Sequence, residues 1–301
     1  MVRAVRTSIA PPRLASLPHE RAQLEYSSRS IVFAHDGATL LRAWGPPERP
    51  FVLAVEPDGA RWSVRAWGCG PAAARRAVRE MFSLDDPIEE FYRQTRAEPI
   101  LRGTERAFRG LRLPRDASLY EALLHAIIGQ QLSVAAANAL KRRLLERHGR
   151  FLCAGGLDVP LLPSPRAVLM AGADQLRAVG LSRVKSAALL GLARWSSQGR
   201  AAGDWRARPL EAARTELERL HGVGRWTAEN ALLRGAGRPD VFVAGDLGLR
   251  VALDRFGGPA RSEPEARVRA WAERFYPGWG SYATLYLWRK LVATPSGEAA
   301  G

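Results

Sequence analysis

The pattern of apolar and polar positions changes period once along the chain. Four short runs come first, at 30–34, 38–44, 51–56 and 61–67. In the last of them Trp62, Val64 and Ala66 alternate with Ser63, Arg65 and Trp67, the period-two signature of a half-buried strand. His35-Asp36-Gly37 and Asp58-Gly59 punctuate the runs, and Asp-Gly supplies the positive φ that tight hairpins demand. Pro71 then opens a helix through about Phe82, proline suiting the first helical position. The pattern predicts a small antiparallel sheet with a helix over 29–95, after a disordered tail at 1–28.

Beyond that point the period becomes helical. Asp86-Pro87-Ile88-Glu89 reads as a capped helix start, and Ser118-Leu119-Tyr120-Glu121 as a Ser-x-x-Glu capping box. Helices are expected at 118–128, 133–148, 165–171, 173–179, 183–197, 209–220, 225–234, 246–256, 263–275 and 280–291. No tandem repeat of fixed period appears. The expected class is therefore α+β, with a helical domain over 96–295 behind the small sheet and a short tail at 296–301.

Composition narrows the partners. Lysine and arginine number 45 against 30 acids, a formal charge of +15, and only Lys141, Lys185 and Lys290 are lysines. Arginine enrichment alone can reflect a GC-rich genome, but a surplus of this size favours a polyanion, because neutralised phosphates release condensed counterions. Nucleic acid leads on charge. No apolar run reaches the roughly 20 residues a membrane span needs, so no membrane partner is expected. Cys69 and Cys153 stand apart, and the five histidines are scattered, which leaves no zinc or iron–sulfur ligand set. A reduced, cytoplasmic location follows as an expectation.

The stretch 210–235 carries the most information. Leu210, Ala213, Leu217 and Leu220 give one apolar helix face. His221-Gly222-Val223-Gly224 ends it, and Arg225-Trp226-Thr227-Ala228 begins another helix. Two glycines let the backbone turn sharply while Val223 anchors the turn, and bared N–H groups at the second helix start suit a phosphate. Gly-x-Gly alone would fit an ordinary helix–helix turn. Downstream, the extended apolar run Asp240-Val241-Phe242-Val243-Ala244-Gly245 delivers Asp246 to the beginning of a further helix, where an aspartate serves equally well as an N-cap.

Taken together, 210–256 resembles the helix-hairpin-helix DNA glycosylase superfamily, and most closely the 3-methyladenine DNA glycosylase II (AlkA-like) branch. Phe82-Ser83-Leu84-Asp85-Asp86-Pro87, Ala126-Ile127-Ile128-Gly129-Gln130-Gln131-Leu132-Ser133-Val134-Ala135, Gly180-Leu181-Ser182-Arg183-Val184-Lys185 and Trp279-Gly280-Ser281-Tyr282-Ala283 match that branch in order. The early sheet resembles the branch's TBP-like domain. The resemblance implies a monomer that acts on double-stranded DNA with damaged bases, associates with the bacterial nucleoid and excises alkylated purines in base excision repair.

Residue by residue, the resemblance implies Asp246 as the catalytic carboxylate. A fixed negative charge would stabilise the oxocarbenium character that glycosidic cleavage builds on the sugar. Trp226 occupies the place where lyase-competent relatives carry a nucleophilic lysine, so no Schiff base is expected. Trp226, Trp279 and Tyr282 would line the base pocket, electron-rich rings attracting a cationic base; core packing is the rival role for both tryptophans, the stronger rival at Trp279. Trp288, Tyr286 and Asp240 are expected to be structural, and Gln130 to brace a loop. Gln131 stands where the family fills the gap left by the flipped base, usually with an apolar wedge. Gly222, Gly224, Arg225 and Thr227 would meet DNA. The family's hairpin also implies a monovalent cation, Na+ or K+, on the backbone carbonyls of Glu218, Leu220 and Val223, and no other cofactor. His221 replaces the usual proline, Gly245 stands where some relatives have a second acid, and Asn230 and Leu247 replace tyrosines. Two other readings stay open: a non-enzymatic DNA-binding module, and a glycosylase for deaminated or oxidised bases.

Overall fold

The computed structural model describes residues 3–12, 15, 30–96 and 98–294. The predicted sheet forms, with one strand more than expected. Strand β1 (Val5–Ile9) lies inside the segment expected to be a disordered tail; the rest of that segment and the tail at 296–301 fall largely or wholly outside the described residues. It pairs antiparallel with β5 (Arg61–Trp67), Ile9 facing Trp62 across the ladder. The sheet continues through β4 (Phe51–Asp58), β3 (Thr39–Trp44) and β2 (Phe33–Asp36), in the order β1-β5-β4-β3-β2. The run at 30–34 begins instead as a 3-10 turn, Ser30–Val32, and becomes a strand only at Phe33. Helix α1 (Pro71–Met81) starts on its proline as expected.

Alternation in β5 sends Trp62, Val64 and Ala66 into the main core. In β3, however, all six residues are buried. The reason is a second hairpin that the helical reading missed, β6 (Arg150–Ala154) and β7 (Leu157–Leu161), joined through Gly155-Gly156. Its Ala154, Val159 and Leu161 pack with Leu41, Ala43, Val52 and Ala54 on the sheet's other face. The boundary expected near 95 therefore does not separate two cores. Apolar residues of the sheet and of the helices belong to one cluster, and a later hairpin covers the sheet's far side.

The helices follow largely as expected: α2 (Ile88–Thr95), the single turn α3 (Thr104–Ala107), α4 (Leu119–Gly129), α5 (Val134–His148), α6 (Pro165–Ala178), α7 (Arg183–Ser197), α8 (Leu210–Glu218), α9 (Arg225–Ala231), α10 (Leu247–Arg255), α11 (Glu265–Phe275) and α12 (Gly280–Ala293). Gly172 breaks α6 with non-helical angles (φ 65°, ψ 179°), so the two helices read there are both present. Ser118, Ser133, Ser164 and Ser182 each accept a backbone N–H at a helix start, which explains why those boundaries were readable from local sequence. Asp86 does not cap α2. Its carboxylate is buried and accepts from Arg206 at 2.7 Å and from the Tyr282 hydroxyl at 2.8 Å. Among the described residues no helix is long and apolar enough to cross a membrane.

One buried ion pair ties the sheet to the helices. Arg42, in the middle of β3, donates to Glu121 of α4 at 2.5 Å, with Asp116 3.8 Å away and the Phe33 ring 4.5 Å from its guanidinium carbon. Removing one partner strands a buried charge, which typically costs 3–5 kcal/mol. Glu121→Ala should lower the unfolding free energy by about 3 kcal/mol, the low end because Asp116 remains nearby. Urea titration checks this, and Arg42→Met/Glu121→Met should recover most of the loss; equal destabilisation in both variants would deny the pair this role.

Candidate active site

Asp246 stands at the N-cap of α10, in extended backbone (φ −77°, ψ 125°). Its Oδ1 accepts the Leu249 backbone N–H at 2.8 Å, so it does cap the helix. The carboxylate does more than that. The Trp226 indole Nε1–H donates to Oδ2 at 3.0 Å, and the Trp288 indole Nε1–H donates to Oδ1 at 2.9 Å. Three N–H donors from α10, α9 and α12 thus fix one half-buried carboxylate, and all three treat it as an acceptor. Indole N–H groups donate and cannot accept, so both tryptophans act on the carboxylate as hydrogen-bond donors. Oδ2 has one donor among the described residues, which leaves it lone-pair capacity.

The backbone makes the approach possible. Gly248 lies between the two groups: a Cβ there would sit 3.3 Å from Asp246 Oδ1 and 3.8 Å from the Trp288 ring. Behind Trp288, α9 runs into a π turn, Leu232–Ala236, which carries the buried Arg234. Arg234 donates to the Pro114 carbonyl at 3.1 Å, and its guanidinium carbon lies 5.5 Å from the Trp288 ring centroid. The stacked cation holds the indole's plane while the carboxylate holds its edge.

This changes the aromatic assignment. Trp279, expected in the base pocket, is 7% exposed and packs on Tyr282 (5.2 Å between centroids) and Phe91 (6.1 Å). Tyr282 has no exposed surface, and its hydroxyl is spent on Asp86. Both belong to the core cluster in this structure. Trp288, expected in the core, is the tryptophan of α12 that reaches Asp246. Trp279 is the N-cap of α12 and Trp288 lies nine residues on, about 180° around the helix, so the two face opposite ways. Trp226, expected to line the base pocket, is half-buried with its indole against Asp246. Tyr286 is core, bonded to Tyr92 and to the Phe108 and Leu111 carbonyls. Leu247, beside the carboxylate, is 61% exposed.

The hairpin forms between α8 and α9. Gly222 takes φ 77°, and a Cβ there would come within 2.7 Å of Ala188 Cβ, so both conformation and space require glycine. Val223 is buried, as an anchor should be. Gly224 is the N-cap of α9 in extended backbone and offers no side-chain cap, which leaves the first amides of α9 to an outside acceptor. Thr227, expected to meet DNA, is 2% exposed and its hydroxyl accepts from Gln130 Nε2 at 2.8 Å. Arg225 is half-exposed but folded back, with Nε 3.0 Å from Glu229 and a terminal nitrogen 3.6 Å from Glu211. Burial pushes the Glu229 carboxyl above its ordinary value, and the Arg269 and Arg225 guanidiniums pull it back.

Gln130 is the loop brace that was expected: it also donates to the Gly222 carbonyl at 2.8 Å. Lys185 donates to the carbonyls of Ile128 and Gln130, both at 2.8 Å, and burial pushes its ammonium below its ordinary value. The adjacent Gln131 is exposed and takes φ 54°, a left-handed conformation that costs a residue with a Cβ about 1–2 kcal/mol. Leu132 beside it is 38% exposed. The tip 129–132 therefore projects next to the hairpin. Asp240 is structural, pairing through both oxygens with Arg238 at 2.9 and 2.6 Å.

The family model for the HhH-GPD superfamily base excision DNA repair proteins matches residues 124–277. The chain belongs to this superfamily. That span holds the projecting tip, the hairpin and Asp246. The chain is 29% identical over 219 residues to a DNA-3-methyladenine glycosylase of Bacillus subtilis, covering 71% of each protein. It is 34% identical over 186 residues to DNA-3-methyladenine glycosylase 2 of Escherichia coli, covering 60% of each. Its fold matches a 3-methyladenine DNA glycosylase from Archaeoglobus fulgidus with a TM-score of 0.83 at 25% identity, over 95% of this chain and 98% of that one. The α+β class and the small antiparallel sheet agree with that structure.

The two tryptophans separate in a simple experiment. Trp288→Phe removes one hydrogen bond to a charged group, typically worth about 1.5–3 kcal/mol, so base excision should slow by about tenfold or more. Trp279→Phe should lower the melting temperature and leave the rate per folded molecule unchanged. The reverse pattern in single-turnover rates and thermal melts would return the pocket to Trp279.

Proposed function

We propose that this protein excises N-alkylated purines, of the 3-methyladenine and 7-methylguanine kind, from double-stranded DNA and leaves an abasic site. The observation that carries the reading is Asp246, a carboxylate held by three N–H donors beside an exposed surface. The DNA-3-methyladenine glycosylases among its relatives support the substrate class.

The duplex rests on the hairpin amides, and the damaged nucleotide turns out of the stack. Gln131, on its projecting tip, enters the gap left behind, with exposed Leu132 alongside to supply apolar surface. An N-alkylated purine carries positive charge, so an indole face attracts it, by up to about 2 kcal/mol once water is excluded. Trp226 is the indole placed to do so. The bond from C1′ to the base nitrogen breaks with its electron pair leaving on the base, which departs neutral and needs no general acid. The sugar is left as an oxocarbenium ion, and the Asp246 carboxylate opposes that charge. Water oxygen bonds to C1′, and its proton passes to Asp246 or to solvent.

Strand cleavage by β-elimination would need an amine at the sugar. The lysines are placed elsewhere: Lys141 is fully buried, Lys185 holds the tip carbonyls, and Lys290 donates to the Ile100 carbonyl at 2.6 Å. The carbonyls of Glu218, Leu220 and Val223 lie at the C-terminal end of α8 and in the turn, where helix carbonyls lack intrahelical donors. Leu220 spends one lone pair on the Val223 N–H at 3.0 Å and keeps another. An all-oxygen donor set of this kind fits Na+ or K+, which would add positive charge beneath a DNA phosphate.

Methylated duplex DNA incubated with the protein should release 3-methyladenine or 7-methylguanine. Borohydride should trap no protein–DNA adduct. Absence of any released base across a panel of damaged duplexes would sink the reading, and a trapped adduct would make the enzyme a lyase.

Asp246→Asn should slow excision by about 10²–10³, the usual cost of one preorganised electrostatic group, while damaged duplex still binds. The amide has one acceptor oxygen for three N–H donors, so its NH2 must face a donor. A stability loss of about 1.5 kcal/mol should accompany the change. Wild-type excision by this variant would remove Asp246 from the chemistry.

A further inference from the structure

A second basic feature lies away from Asp246. A cavity of about 810 Å³ opens between α2, α3 and the segment after α3, and Arg93, Arg96, Arg102, Arg106 and Arg109 line it. Glu89 is the acid among its lining residues. Glu98, the nearest acid in sequence to Arg96, is buried and turned inward, accepting the backbone N–H groups of Ile100 and Leu101 at 2.8 and 2.6 Å. Arg93 has only a loose partner, Glu90 at 3.9 Å on an exposed surface. Among the described residues, no salt bridge engages Arg96, Arg102 or Arg106, and all three are exposed.

The cavity is not an extension of the excision site. Tyr92 forms part of its wall, and its hydroxyl meets that of Tyr286 at 2.8 Å. Tyr286 and Trp288 are two residues apart on α12, about 200° around a helix. Tyr286 faces the cavity side while Trp288 faces Asp246, so α12 stands between the two places.

We infer that this cavity binds phosphates of a second DNA segment, separate from the one whose base is excised. Guanidinium forks take phosphate oxygens in pairs of parallel hydrogen bonds, and the exposed forks of Arg96, Arg102 and Arg106 around one cavity suit a chain of phosphates. Such a site would let one molecule hold two stretches of duplex, retaining the enzyme on DNA while it samples bases.

The test uses the full-length protein loaded at saturation on an immobilised duplex, then offered a fluorescent undamaged duplex. Wild-type protein should capture the second duplex. Arg96→Gln/Arg102→Gln/Arg106→Gln should capture it at least about tenfold more weakly, with a log K against log salt slope shallower by about 3. Single-turnover excision on one short damaged duplex should not change, which separates this inference from the proposed function. Arg96→Lys/Arg102→Lys/Arg106→Lys keeps the charge and serves if the glutamine variant misfolds; losing the fork should still weaken capture. Equal capture by wild type and variants would overturn the inference. So would binding of fluorescent ATP in the cavity with no second duplex captured, which would assign it to a small polyphosphate.

Discussion

Three helices meet at a single carboxylate. The Asp246 side chain caps α10 through Leu249, receives the indole of Trp226 from the helix after the hairpin, and receives the indole of Trp288 from the last helix. Capping and chemistry share one group without conflict, because Oδ1 takes the cap and one indole while Oδ2 takes only the other indole. A carboxylate so fixed has no reorganisation left to make when positive charge develops near it. Losing any one of the three helices from its place would release the group. The precision of the site is therefore a property of the tertiary packing.

The surrounding frame repeats this economy. Gln130 links the end of α4 to the hairpin through the Gly222 carbonyl and Thr227 hydroxyl, and Lys185 links the start of α7 to the same loop. The projecting tip and the hairpin are thus braced as one surface. Ser281, at the start of α12, accepts the Val241 N–H and donates to the Arg238 carbonyl, which fixes the extended segment leading to Asp246. Of the side chains expected to meet DNA, Thr227 is part of this bracing, and Arg225 is turned to Glu229 and Glu211. The first amides of α9, beside them, have no side-chain cap.

Local signals made much of this readable. Serine caps marked helix starts, Gly-x-Gly marked the hairpin, and Asp246 was visible because an N-cap aspartate followed an extended apolar run. Gln130 as a brace followed from the family resemblance, and its bonds to Gly222 and Thr227 agree. Errors arose where the deciding partner is distant in sequence. Nothing near Trp279 or Trp288 says which one meets a residue about forty positions earlier; packing against Phe91 and the reach permitted by Gly248 decide it. Strand β1 was hidden because five residues earn a strand only from an edge offered by β5. The hairpin β6–β7 was hidden because its apolar face answers a sheet made about a hundred residues earlier.

That hairpin also sets a schedule for the nascent chain. Strand β5 ends at Trp67, yet the apolar face formed by Leu41, Ala43, Val52 and Ala54 is not covered until Leu161 has been made. At a synthesis rate of about 5–20 residues per second, the sheet waits roughly 5–20 s on the ribosome with that face open. At the start of this interval the sheet is held by its own hydrogen bonds and by α1, and Glu121 of α4 reaches Arg42 only later. It is the stage at which this chain is most exposed to sticking to its neighbours, and the stage at which a chaperone would find an apolar surface to hold.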